Sequence, residues 1–201
     1  SERGMGRSYA AGRITLVAVA ALIGAAGSSA FAAGPPDEFR VYRSVADTYV
    51  TAARARTNFG RSRALRVDAS PQTTAFLRFR LKPTAQPASV TLLLRPASPG
   101  RAKYAVRRVE DNEWRERRLT YAKAPHPSLR FASSRPVRRG VWSAVDVTAF
   151  VVPGDEEVSL AITTHGMQAI SFGSRESESG PRLVVMTDDG ELHNLVLDSV
   201  L

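Results

Sequence analysis

The chain has no cysteine, so disulfides and a thiol nucleophile are both excluded. Histidine is scarce. His126, His165 and His193 stand far apart, without the paired spacing of zinc-binding motifs, and His126 lies between two prolines as a loop residue would. There is no Gly-x-Ser-x-Gly elbow to expose a catalytic serine. Lysine is nearly missing, with only Lys82, Lys103 and Lys123 among 28 basic residues, a bias that a high-GC genome writing Arg for Lys also produces. Beyond residue 32 no stretch of ten or more residues has helical periodicity, and no internal repeat is visible.

The longest uncharged apolar run, Ile14 to Ala26, has 13 residues, short of the roughly 20 that a spanning helix requires. Arg7 and Arg13 give it a positive flank, and Ala30-Phe31-Ala32 follows with the small-x-small pattern read by signal peptidase. Residues 1–32 are therefore expected to be a signal peptide cleaved after Ala32. Met5 is its expected start, and residues 1–4 are an upstream extension. Residues 33–41, Pro-rich and polar, are expected to be a flexible lead-in. The domain is expected at 42–187 and a tail at 188–201. The expected location is outside the cell or in its envelope, without stable membrane insertion.

The net charge is +9. Residues 1–32 hold Arg3, Arg7 and Arg13 against Glu2, which leaves +7 on the remainder. That balance favours anionic partners such as an acidic polysaccharide or surface polymer. Nucleic acid would also suit the charge. Export argues against it, as does the lack of an aromatic stacking platform interleaved with base-reading residues.

What the sequence does contain is short alternating runs divided by turn residues, the mark of antiparallel β-structure. Ala75, Leu77, Phe79 and Leu81 share one parity, as do Val90, Leu92 and Leu94. Tyr104 alternates with Val106 and Arg108, Val141 with Val145 and Val147, and Val158 with Leu160 and Ile162. Ile170 with Phe172, and Leu183 with Val185, complete the set. Ser70-Pro71, Lys82-Pro83, Pro96 to Gly100, Pro153-Gly154-Asp155 and Gly180-Pro181 punctuate them, since proline cannot serve a central strand. Nine or ten strands at this spacing predict a sandwich. Its predicted core comprises Leu77, Phe79, Leu92, Leu94, Val145, Val147, Leu160, Ile162 and Phe172.

Seven segments fall in a fixed order along this pattern: Ala46-Asp47-Thr48-Tyr49-Val50, Thr57-Asn58-Phe59-Gly60, Phe76-Leu77-Arg78-Phe79, Asp111-Asn112-Glu113-Trp114, Leu119-Thr120-Tyr121, Asp146-Val147-Thr148 and Phe172-Gly173-Ser174-Arg175-Glu176. Together they resemble the secreted modules called DNRLRE domains, also classed as carbohydrate-binding module family 96. The resemblance implies an all-β, jelly-roll-like antiparallel β-sandwich that binds carbohydrate without catalysis, with alginate-like polysaccharides as the ligand class. It further implies that Trp114 and Tyr121 are structural, and that Arg175 is structural too, paired with an acid such as Asp47 or Asp146.

Candidate ligand contacts follow from residue chemistry. Arg54, Arg56, Arg61 and Arg63 crowd one loop, and Arg135, Arg138 and Arg139 another. Guanidinium groups hold carboxylates bidentately, so either cluster suits the uronate groups of an acidic polymer. Trp142 has opposite parity to Val141, Val145 and Val147, so if the valines face the core it stands outside the sheet or under a loop as a candidate sugar platform, an assignment a β-bulge would reverse. Asp111, Glu113 and Glu116 alternate with basic residues as a solvated loop does, which disfavours paired-carboxylate hydrolysis. By analogy with other sugar-binding sandwiches, Asp47, Glu176 and Asp188 are candidate ligands of a structural calcium ion. The expected function is a secreted binding module for an acidic or cell-surface polysaccharide. A structural or interaction module of the cell envelope is the alternative, and a polysaccharide lyase a remoter one.

Overall fold

Strand β1, Glu38–Thr51, belongs to both walls of the molecule. In this computed structural model, which describes residues 38–82 and 87–187, its first half pairs with β10 (Arg182–Thr187) from Glu38↔Thr187 to Arg43↔Arg182. A bulge between Ser44 and Ala46 then turns the strand, and its second half pairs with β3 (Gln72–Arg80) down to Thr51↔Thr73. The strand thus begins at Glu38, inside the segment expected as a lead-in. Residues 38–41 are held in the sheet by β10, so the expected boundary at 42 falls four residues late.

Seven further strands complete the fold: β2 (Ala64–Ala69), β4 (Pro87–Leu94), β5 (Ala105–Val109), β6 (Phe131–Ser133), β7 (Ser143–Asp146), β8 (Glu157–Thr163) and β9 (Ile170–Gly173). All pairings are antiparallel, along the path β6-β5-β8-β3-β1-β10-β4-β7. β2 pairs with β3 through a tight hairpin and with β9 on its other edge. β9 in turn bridges Pro96, just past β4, through Ala97 N–H to Ser171 C=O at 2.8 Å. That contact completes a circuit of strands, so the sandwich nearly closes into a barrel. Among the described residues there is no α-helix, only three short 3₁₀ turns.

The alternating positions face inward as the sequence dictates, and all nine predicted core residues lie in one buried cluster. Val141 does not share that face. It is 56% exposed because β7 starts only at Ser143, and the turn at Gly140, with φ of 75°, resets the parity before the strand. A second, smaller cluster of Ala46, Val50, Phe76, Val109, Trp114, Leu119 and Ala161 covers the outer face of the β1–β3–β8 wall. The segment after β5 folds over this face. Trp114 is pinned there by its Nε1–H to Ser159 Oγ at 3.0 Å and by the Phe76 ring edge. The wall is consequently buried on both sides, which explains why Phe76 is apolar at a position of outward parity. No helix among the described residues is long and apolar enough to cross a membrane. The expected signal peptide and the tail lie outside the described residues.

Candidate functional site

The loop between β1 and β2 supplies most of the expected arginines. Arg54, Arg56, Arg61 and Arg63 are all exposed on it. The loop borders a groove of about 530 Å³ with the end of β1, β2 and β9 as walls. At its base the Tyr49 and Phe59 rings stack at 4.4 Å with 17° between planes. Arg54 and Arg66 stand at its rim with Asp68, and Thr73 Oγ1 donates to Thr51 Oγ1 at 2.9 Å along one side. The groove therefore combines apolar ring surface, hydroxyls and cationic donors, the combination a sugar carrying carboxylates requires.

The loop's path is set by contacts to the outer layer. Asn58 Nδ2 donates to the carbonyls of Glu116 and Leu119, each at 2.7 Å. At Gly60 the backbones approach so closely that a Cβ would sit 2.2 Å from the Glu116 carbonyl oxygen, which only glycine permits. The segment Thr57-Asn58-Phe59-Gly60 thus docks the groove's loop on the chain around Glu116.

Trp142 lies elsewhere. It is half-buried ahead of β7, with the Arg182 guanidinium 4.8 Å from its ring centre. Arg182 is the β10 partner of Arg43, and both line a separate depression of about 300 Å³ with Ser44, Arg175 and Glu176. Arg135, Arg138 and Arg139 are exposed on the β6–β7 connection. His126 and His165 are exposed, and His193 lies outside the described residues.

An acidic cluster with one buried member adjoins the second depression. Asp47 of β1, Glu116 of the outer layer and Glu176 of the β9–β10 turn offer carboxylate oxygens all within 4.8 Å of one another. Of the three residues expected to ligate calcium, Asp47 and Glu176 meet here, while Asp188 lies outside the described residues. Glu116, expected from the sequence in a solvated loop, is drawn into this cluster. Its signal was the alternation Trp114-Arg115-Glu116-Arg117, in which the tryptophan turns inward and carries the glutamate with it.

Asp47 is 2% exposed. Its N–H donates to Glu116 Oε1 at 2.9 Å, and its Oδ2 accepts the Arg175 N–H at 2.7 Å and the Ser44 hydroxyl at 3.2 Å. Burial pushes its carboxyl up to about 7, the bond from Arg175 N–H opposing that and the Glu176 charge adding to it. Arg175 Nε lies 3.1 Å from Glu116 Oε1 and 3.2 Å from Glu176 Oε1, and its guanidinium also reaches the Val45 carbonyl. Arg175 is therefore structural, but its side chain pairs with the two glutamates, not with Asp47 or Asp146. Only its main chain serves Asp47. Asp146 instead caps Thr148, accepting its N–H at 2.9 Å and its hydroxyl at 2.6 Å.

The family model for carbohydrate-binding module family 96 matches residues 39–187, from the second residue of β1 to the end of β10. No curated protein matches the chain.

Proposed function

The chain belongs to carbohydrate-binding module family 96, and from that premise we propose that it binds an acidic, alginate-like polysaccharide in the groove beside Tyr49 and Phe59. The observation that carries this reading is the placement of Arg54 and Arg66 at the rim of a groove whose base is a stacked aromatic pair. Uronate carboxylates would pair with the guanidinium groups, and the sugar's C–H faces would pack on the rings. Arg56, Arg61 and Arg63, exposed on the same loop, extend the cationic surface along a polymer. Trp142 with Arg182 serves as a second contact on the same chain of sugars.

The module acts by binding and has no catalytic part in this reading. In this reading the antiparallel sandwich is a jelly roll of the DNRLRE type. Residues 1–32 direct it out of the cell, where such polymers occur. Retention on immobilised polyuronate, compared with a neutral glucan at two salt concentrations, tests the assignment. Retention on the neutral polymer alone would sink it. A cell-envelope interaction module is the second reading, favoured by Phe39 and Val41, which are about half exposed on the first half of β1. Absence of retention on every polysaccharide would select it.

A further inference from the structure

One buried oxygen at the sheet-crossing strand has no partner. Asp47 is 2% exposed, its Oδ2 takes both available donors, and its Oδ1 takes none. A buried acceptor in that position calls for a donor or a cation. Its neighbours are further acids: oxygens of Glu116 and Glu176 complete a triangle of carboxylates within 4.8 Å. The cation bonded there, Arg175, serves the two glutamates through Nε and offers Asp47 only its main-chain N–H. With all three ionised, the carboxylates outnumber the single guanidinium in this partly dry site.

We propose that Asp47, Glu116 and Glu176 form a calcium site that ties together β1, the outer layer and the β9–β10 turn. The spacing suits the ion. Calcium–oxygen distances of about 2.3–2.6 Å place opposed ligands up to roughly 5 Å apart, whereas magnesium, at about 2.1 Å, allows little more than 4 Å. Asp47 Oδ1 is the interior ligand, Glu116 the ligand from the outer layer and Glu176 the one nearest solvent. The adjoining depression, about 300 Å³ and lined by Ser44, Glu176 and Ser177, has room for the waters that complete a coordination number of six to eight. Arg175, whose side chain is 37% exposed, swings toward that depression as the ion takes over its glutamates. The site does not depend on the sugar-binding reading. It meets the groove's loop at Asn58, which grips the Glu116 carbonyl at 2.7 Å, and at Gly60, which packs against the same carbonyl.

The full chain, stripped with chelator, is titrated with calcium chloride by calorimetry and followed by thermal unfolding, with terbium luminescence excited through tryptophan as a second probe. One calcium per chain is expected, with a rise of about 5 °C or more in Tm at a hundredfold excess over Kd, and a smaller rise with magnesium. Glu176→Gln, on the exposed turn and expected to fold, should weaken binding at least tenfold. Asp47→Asn should abolish it, while Asp111→Asn should leave it unchanged. Absence of calcium binding at millimolar concentration overturns the proposal, as does full affinity in Glu176→Gln. Should Asp47→Asn fail to fold, Glu176→Gln decides alone.

Discussion

The main-chain N–H of Arg175 donates to Asp47 Oδ2 at 2.7 Å, joining residues 128 apart in sequence. The bond fastens the turn after β9 to the bulged crossing of β1, where the strand leaves one wall for the other. It also places a carboxylate where burial disfavours its charge, with Glu116 facing it from the outer layer and Glu176 from the turn. The corner of the fold is thereby a charged junction, and its energetics depend on protons and cations more than the apolar core does.

The first prediction concerns pH in calcium-free buffer. The folded-state pKa of Asp47, about 7, lies above the unfolded value near 4, so between those values the folded state binds more protons than the unfolded chain. Its contribution to stability is full below about pH 4 and is lost as pH rises toward 7. Urea unfolding at pH 4.5, 6 and 7.5 should show a decline on the order of a few kcal/mol. Asp47→Asn should flatten that slope, and an unchanged slope in the variant would assign it to another group.

The second prediction tests the parity of the interior. Phe79 is fully buried between the walls, and truncating such a side chain costs roughly 3–5 kcal/mol. Phe79→Ala should lose that much in equilibrium unfolding. Val141→Ala should stay within about 0.5 kcal/mol, because Val141 precedes β7 and faces solvent. A large loss at Val141 would return it to the core face.

These contrasts show what the sequence conveys. β4 and β10 each bury one face against the main core, so their apolar residues alternate legibly, whereas β3 and β8 are also covered on the outer face at Phe76 and Ala161. β1 does not alternate, because its second half is buried on both faces and its bulge breaks the period of two. Tyr49 and Phe59 were visible only as separate motif residues, since nothing local says that two rings 10 positions apart will stack. Glu116 was hidden for a similar reason. Its neighbours Arg115 and Arg117 make the segment look solvated, and only the folding of Trp114 onto Ser159 draws the glutamate inward.

The third prediction follows from the backbone contact at Gly60. A methyl group there would overlap the Glu116 carbonyl, a main-chain atom that cannot rotate away. Gly60→Ala should therefore cost about 1–3 kcal/mol, the usual range for forced overpacking. It should also shift the loop that carries Phe59 and Arg61, reducing polyuronate retention. Wild-type stability in this variant would mean that the two loops separate in solution.

The last prediction separates charge from shape in ligand binding. Exposed charges are screened beyond about 8 Å at physiological ionic strength, so contacts from exposed loop arginines weaken steeply as salt rises. Affinity for a polyuronate should accordingly fall on moving from low to high salt, with little change for any neutral glucan. Replacing Arg61 and Arg63 together by Ala should lower polyuronate affinity and its salt dependence without changing Tm, since both side chains are exposed and outside the apolar clusters. Arg54→Ala should act in the same direction from the groove rim. Trp142→Ala should weaken binding of long polymers more than of short oligosaccharides, because its ring sits against Arg182 and not among the groove residues. Salt-independent affinity, or full affinity in the double arginine variant, would leave the loop arginines without a role in recognition.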